Sequence, residues 1–151
     1  MAPTTPGKPN QHAGKDVDVF VEIPRGSRAK YELDKASGHI RLDRVLFSSV
    51  HYPADYGFVM DTLARDGDPL DALVIVEEPT FPGCVVPARP IGTLFMKDGK
   101  GEDEKILAVP AGDPRFSHIH QLEDDAVELK GWHGVDTAWR VIEECRDRAR
   151  G

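Results

Sequence analysis

Residues 66–76 have the sequence Asp66-Gly-Asp-Pro-Leu-Asp-Ala-Leu-Val-Ile-Val76, in which three carboxylates come directly before an apolar run. Gly67 and Pro69 predict a rigid loop, and the apolar run predicts a buried strand that anchors this loop. Carboxylates crowded this closely repel one another unless cations neutralise them. Hard oxygen ligands on such a scaffold suit Mg²⁺, with Mn²⁺ as a substitute.

Two other interpretations of this loop are a solvated acidic turn and a calcium loop. A solvated acidic turn before a strand is the ordinary alternative, but the third Asp and the strand that follows favour a metal site. A calcium loop of the EF-hand type would place Asp66, Asp68 and Glu77 at positions one, three and twelve. That motif requires Gly at position six, where this chain has Asp71, and it also requires flanking helices. The EF-hand is therefore disfavoured.

On both sides of this loop the pattern predicts short strands with turns between them. Val17, Val19, Val21 and Ile23 alternate with other residues, as in a half-buried strand. Further strands are predicted over residues 29–33, 39–44, 56–60, 72–76, 85–96 and 104–109. Pro87 and Pro90 interrupt the segment 85–96, which predicts an edge or a bulge there. A small barrel or sandwich is the expected architecture.

The two ends of the chain differ from this pattern. Residues 1–15 contain almost no large apolar side chain and are predicted to form a flexible tail. Residues 16–151 are predicted to form a single domain. Its C-terminus is predicted to be helical, with Asp136 as the N-cap and one apolar face, formed by Ala138, Val141, Ile142 and Cys145.

Composition excludes several classes of function. The 151 residues carry a formal net charge of -7, which argues against nucleic acid as a partner. No apolar run approaches the roughly 20 residues of a membrane span, and no signal peptide is evident. Cys84 and Cys145 form no CxxC pair. We therefore expect a cytoplasmic protein with free thiols.

A second acidic stretch contains Asp98 and Asp103 around a Gly-rich turn. Alone it would be an ordinary polar hairpin, but the chain also supplies cations suited to phosphate, namely Lys30, Arg44 and Lys105. Tyr52 and Tyr56 are equally compatible with phosphate binding and with the core. We predict one acidic pocket that binds divalent metal ions and, through them, a phosphate-containing ligand. Its carboxylates are Asp66, Asp68, Asp71, Asp98 and Asp103.

These residues together resemble the soluble family I inorganic pyrophosphatases. The resemblance covers roughly residues 17–122 and implies a five-stranded OB-like β-barrel, a mainly β (α+β) fold with a C-terminal helix. The matching segments are Val21-Glu-Ile-Pro24, Lys30-Tyr-Glu-Leu-Asp34, Leu42-Asp-Arg44, Tyr52-Pro-Ala-Asp-Tyr-Gly57, Asp66-Gly-Asp-Pro-Leu-Asp71, Pro82-Gly83, Arg89-Pro-Ile-Gly92, Gly101-Glu-Asp-Glu-Lys105 and Val109-Pro110.

The resemblance also implies residue roles. Asp68 would accept the proton of the attacking water. Glu32 would support the site. The metal ligands would be Asp66, Asp71, Asp98, Asp103 and Glu22. The residues that hold or orient phosphate oxygens would be Lys30, Arg44, Tyr56 and Lys105.

The C-terminal part departs from the family pattern. A long helix that ends in a Tyr-Lys pair normally precedes the final Gly-Trp, but here no tyrosine follows Tyr56. In the family that pair grips the leaving phosphate, and the helix takes part in subunit contacts. We therefore expect an internal deletion and a homo-oligomer in which the usual hexamer is in doubt. Lys130 is more simply a surface lysine than a replacement for the lost cation.

Three functions are compatible with the sequence. The first is Mg²⁺-dependent hydrolysis of inorganic diphosphate to two phosphates. The second is a specialised relative that acts on an organic diphosphate or another phosphorylated metabolite. The third is a non-catalytic protein that binds metal and phosphate, which the retained Asp68 disfavours.

Overall fold

The computed structural model describes residues 15–47, 51–98, 101–121 and 131–151. Each predicted strand is present in these residues, with ends that differ by a few positions. No helix among them is long and apolar enough to cross a lipid bilayer. In chain order the elements are β1 Val17–Ile23, β2 Ala29–Asp34, β3 His39–Val45, β4 Asp55–Val59, β5 Asp71–Val74, β6 Val85–Asp98, β7 Gly101–Pro110, a 3₁₀ turn Pro114–Phe116, β8 Trp132–His133 and α1 Val135–Arg150.

Five strands close into a ring. The sheet order is β1, β4, β5, β7, β6 and β8, and β1 also pairs with β6. Closure of this kind leaves no free edge among the five strands. The OB-like barrel expected from the sequence is therefore confirmed. β5 and β7 pair in parallel, whereas β2 and β3 form a separate antiparallel hairpin.

The prolines of β6 bend the strand without ending it. The sequence predicted an interruption, but β6 is continuous over Val85–Asp98. The predicted bulge is confirmed, since the register with β7 shifts between Pro90 and Gly92. Proline has no N–H to donate to the neighbouring strand, so a bulge is where a paired strand can accept it.

The main core is formed by one face of the barrel strands and one face of α1. The buried residues of β1 are the alternating set Val17, Val19, Val21 and Ile23. α1 adds Val135, Ala138, Trp139, Val141, Ile142 and Cys145. A second, smaller cluster covers the opposite face of β6 and β7 and consists of Ile91, Leu107, Val109 and Phe116.

The helix begins earlier than the sequence predicted. Asp136 is not the N-cap, because Gly134 holds that position in an extended conformation and makes no side-chain cap hydrogen bond. The helix therefore starts at Val135, two residues before the start that an Asp136 N-cap would give, and Val135 is buried, with 6% exposure. Asp136 lies in the first turn instead, where a negative charge still complements the helix dipole.

Gly57 gives a prediction about stability. It lies on β4 opposite Val21, and a Cβ at this position would collide with the backbone carbonyl of Phe20. The Gly57→Ala variant should therefore lose about 3 kcal/mol or more of unfolding free energy, the range of severe core defects. Urea denaturation measures this loss. Gly112→Ala is the matched control, since a Cβ there meets no atom within 4 Å. Equal stability of the two variants would contradict the barrel packing.

Candidate active site

The candidate site lies on the face of the barrel that is opposite the main core. Register places Asp71 beside Lys105 on the parallel strands β5 and β7. Asp103 is two residues before Lys105 and so points to the same side of β7. Tyr56 on β4 pairs with Leu73, which is two residues after Asp71. Side chains from three neighbouring strands therefore converge by backbone geometry alone.

Lys105 is at the centre of this group. Its Nζ lies 2.9 Å from Asp103 Oδ2 and 3.0 Å from Asp71 Oδ2. It also donates to the Tyr56 hydroxyl at 3.1 Å. The Lys105 side chain is only 16% exposed. The sequence predicted that Lys105 would hold phosphate, but in this structure its ammonium holds two of the predicted metal ligands.

The pKa values of this group show that the ammonium offsets burial only in part. Burial raises the pKa of Asp71, Lys105 counteracts it, and the charge of Asp103 raises it further. Burial lowers the pKa of Lys105, but the anionic form of Tyr56 and the two carboxylates outweigh this and raise it above its usual range. Burial and the charge of Asp71 also raise the pKa of Tyr56 well above 10. The pKa of Asp71 is therefore raised overall, even though the ammonium of Lys105 lies beside it.

A second charged group lies on the β2–β3 hairpin. Lys30 and Arg44 are direct partners across the hairpin. Both contact Asp43 Oδ2, Lys30 Nζ at 3.3 Å and Arg44 Nε at 3.1 Å. The sequence predicts roles for Lys30 and Arg44 but none for Asp43, although Asp43 lies between Leu42 and Arg44 on the same strand. The hairpin thus brings together two cations that share one exposed carboxylate.

Glu22 connects the hairpin to the barrel. Its Oε2 accepts a hydrogen bond from the Leu33 N–H at 2.8 Å. Burial raises the pKa of Glu22, the Leu33 bond lowers it, and the charges of Glu32 and Asp71 raise it. The charges of Glu32 on the hairpin and of Asp71 on the barrel therefore both act on Glu22. Glu22 is the residue that links the hairpin to the charged face of the barrel.

The acidic loop before β5 has a fixed backbone. Asp66 Oδ1 accepts from the Asp68 N–H at 3.0 Å, and the Ala64 N–H donates to the Asp68 carbonyl at 2.7 Å. Gly67 has a φ of 92°, which glycine accommodates without strain. Asp68 lines a cleft of about 490 Å³ together with Glu32 and Asp43. Asp68 therefore faces the space between the loop and the hairpin.

The structure brings four of the predicted residues into direct contact and places others on the neighbouring hairpin and loop. Asp71, Asp103, Lys105 and Tyr56 form the central group, with the others placed around it as described. The contact found for Asp66 is within its own loop, and the Asp98 side chain lies outside what the structure describes. A larger cavity of about 590 Å³ between β1 and α1 contains none of the predicted residues.

The chemistry of these residues fits divalent metal ions. Within the described residues, no three His, Cys, Asp or Glu side chains converge at metal-binding distance. Asp71 and Asp103 nevertheless place two carboxylates around a single positive charge, that of Lys105. Carboxylate oxygens under-neutralised by one cation are suitable ligands for a harder, doubly charged one.

Comparison with known proteins identifies the family. The inorganic pyrophosphatase family model matches residues 19–130. The chain belongs to this family. Among curated relatives, the inorganic pyrophosphatase of Nostoc is 61% identical over 149 residues and covers 85% of this chain and 88% of its own. The Synechocystis inorganic pyrophosphatase is 49% identical over 150 residues, with 85% and 89% covered.

Solved inorganic pyrophosphatase structures have the same fold. The Thermus thermophilus inorganic pyrophosphatase superposes with a TM-score of 0.85 at 38% identity, covering 98% of this chain and 97% of its own. The Helicobacter pylori inorganic pyrophosphatase gives a TM-score of 0.83 at 36% identity, covering 93% and 96%. The barrel that carries Asp71 and Lys105 therefore has the same fold as these inorganic pyrophosphatases.

Metal binding can be tested without substrate. Millimolar Mg²⁺ or Mn²⁺ should raise the melting temperature, because a ligand at about 100 times its Kd stabilises the folded state by about 2.7 kcal/mol. Asp71→Asn should reduce this rise. Asp61→Asn is the matched control, since Asp61 is exposed and Asn tolerates its φ of 61°. Identical metal responses of the two variants would remove Asp71 from the metal site.

Proposed function

We propose that the protein hydrolyses inorganic diphosphate to two phosphates, using divalent metal ions, with Mg²⁺ as the physiological ion and Mn²⁺ as a substitute. The observation that carries this proposal is the central group of Asp71, Asp103, Lys105 and Tyr56 on a pyrophosphatase fold. The relatives named above support it by their shared activity.

The proposed metal ligands are Asp66, Asp71, Asp98, Asp103 and Glu22. When bound, divalent metal ions neutralise diphosphate and lower the pKa of a water so that a nucleophile exists near neutral pH. The chain also supplies the groups that direct this chemistry. Lys30 and Arg44 both form ion pairs with Asp43. A phosphate that enters beside this hairpin would therefore compete with Asp43 for both cations.

Asp68 is proposed as the group that accepts a proton from the attacking water. Asp68 lines the same cleft as Glu32 and Asp43 and is exposed, so a water can approach it there. The backbone bonds of the loop hold Asp68 in place. A positioned base of this kind contributes about 10²–10⁴-fold to a rate.

Asp68→Asn tests this role. The substitution leaves the backbone bonds of the loop unchanged but removes the proton acceptor, so kcat for diphosphate should fall by about 10²–10⁴-fold. Metal binding should persist, which the melting-temperature shift would show. Asp147→Asn on the exposed face of α1 is the control for a generic loss of negative charge. Full turnover by Asp68→Asn would exclude Asp68 as the base.

A specialised relative is the second candidate, and one observation favours it. The alignment to the Halalkalibacterium halodurans enzyme runs over 158 positions, although the whole chain has 151 residues. Because 91% of 151 is about 137 residues, about 21 of the 158 positions have no counterpart in this chain. This supports an internal deletion. It also fits the lack of any tyrosine after Tyr56.

The substrate can be decided by a phosphate-release assay. Loss of the Tyr-Lys pair would remove hydrogen bonds to phosphate that are worth roughly 1.5–3 kcal/mol each. We therefore expect a lower kcat/KM for diphosphate than a full-length relative has. We also expect some activity on bulkier organic diphosphates. Both are measured on the same preparation with the same metal. Turnover of diphosphate near the diffusion limit, with no activity on larger substrates, would reject the specialised relative. The same preparation, sized by ultracentrifugation, tests the proposed homo-oligomer.

A further inference from the structure

Lys105 has a complete set of partners inside the protein. Its ammonium has three protons, and the oxygens of Asp103, Asp71 and Tyr56 lie 2.9 Å, 3.0 Å and 3.1 Å away. In this arrangement no proton of Lys105 is available for a phosphate oxygen. Lys105 therefore cannot bind substrate unless it first leaves the two carboxylates.

The position of Lys105 follows from the sheet and does not depend on a chance side-chain conformation. Asp71 and Lys105 are register partners on parallel strands, and Asp103 lies on the same side of β7 as Lys105. The lysine and the two acids must therefore be neighbours whenever the barrel is folded. Two carboxylates this close need a cation between them, and Lys105 supplies one.

We propose that Lys105 acts as a built-in counter-ion that holds Asp71 and Asp103 together until a divalent metal ion displaces it. The displaced ammonium then becomes available to phosphate, so metal binding prepares the site for substrate. This inference rests on the metal-dependent function proposed above. It adds a competition between lysine and metal for the same two oxygens, Asp71 Oδ2 and Asp103 Oδ2.

Lys105→Met tests the competition, because methionine fills a similar volume without charge. In the absence of metal, its melting temperature should be lower than that of the wild type, since Asp71 and Asp103 would face each other without a cation. Calorimetric titration without substrate should show Mg²⁺ or Mn²⁺ binding about tenfold tighter, the scale of one lost charge interaction. Lys105→Arg keeps the competing charge and should bind metal much as the wild type does.

The control is Lys15→Met, which makes the same change in net charge at an exposed position before β1. An equal gain in metal affinity by Lys15→Met would overturn the proposal, because a general charge effect would then explain it. Unchanged or weaker metal binding by Lys105→Met would also overturn it. Phosphate release by the wild type is measured separately, so failure of the proposed hydrolysis is distinguishable from failure of the competition.

A measurement on the wild type covers the case in which Lys105→Met does not fold. Acetic anhydride labelling followed by mass spectrometry reports the reactivity of each lysine. Saturating Mg²⁺ should increase the labelling of Lys105, because displacement breaks its contacts with Asp71 and Asp103, whereas Lys15 should be unaffected. Labelling of Lys105 that is unchanged or decreased by the metal would overturn the proposal.

Discussion

The parallel pairing of β5 with β7 is the constraint on which the site depends. It sets Asp71 next to Lys105 on one side of the sheet, while Ala72 and Ile106 point into the core on the other side. Slipping this register by one residue would exchange the two faces. The buried apolar residues therefore fix the register, and the register fixes the charged group. Burial of the core stabilises an arrangement of like charges that would not assemble by itself.

The same face changes from apolar to charged along its length. Leu107 and Val109 continue the side of β7 that carries Lys105, and they pack with Phe116 in the second cluster. Arg89 anchors that cluster by donating to the carbonyl groups of Phe116 at 2.6 Å and Ile119 at 2.8 Å. The charged group on this face is therefore continued along β7 by apolar side chains.

The sequence predicted the positions of the strands and of the acidic loop, but it did not predict which strands and side chains contact one another. The strand alternation of β1 and the Asp66–Asp71 loop are local signals, and the structure contains both elements where they were expected. The parallel partner of β5 could not be inferred, because residues 71 and 105 meet only after the barrel closes. For the same reason the sequence shows the charge of Lys105 but not its two carboxylate neighbours. The contact of Asp43 with Lys30 could not be inferred either, because Lys30 lies across the hairpin.

The net charge of -7 at first conflicts with an anionic substrate. The contacts of three cations that the sequence predicted for the site bear on this conflict: Lys105 is paired with Asp71 and Asp103, and Lys30 and Arg44 are paired with Asp43. A site of this kind has little net attraction for free diphosphate. Under the function proposed above, divalent metal ions would neutralise the carboxylates and leave Lys30, Arg44 and Lys105 in excess. The pairing of these cations with carboxylates would then make phosphate binding depend on the metal.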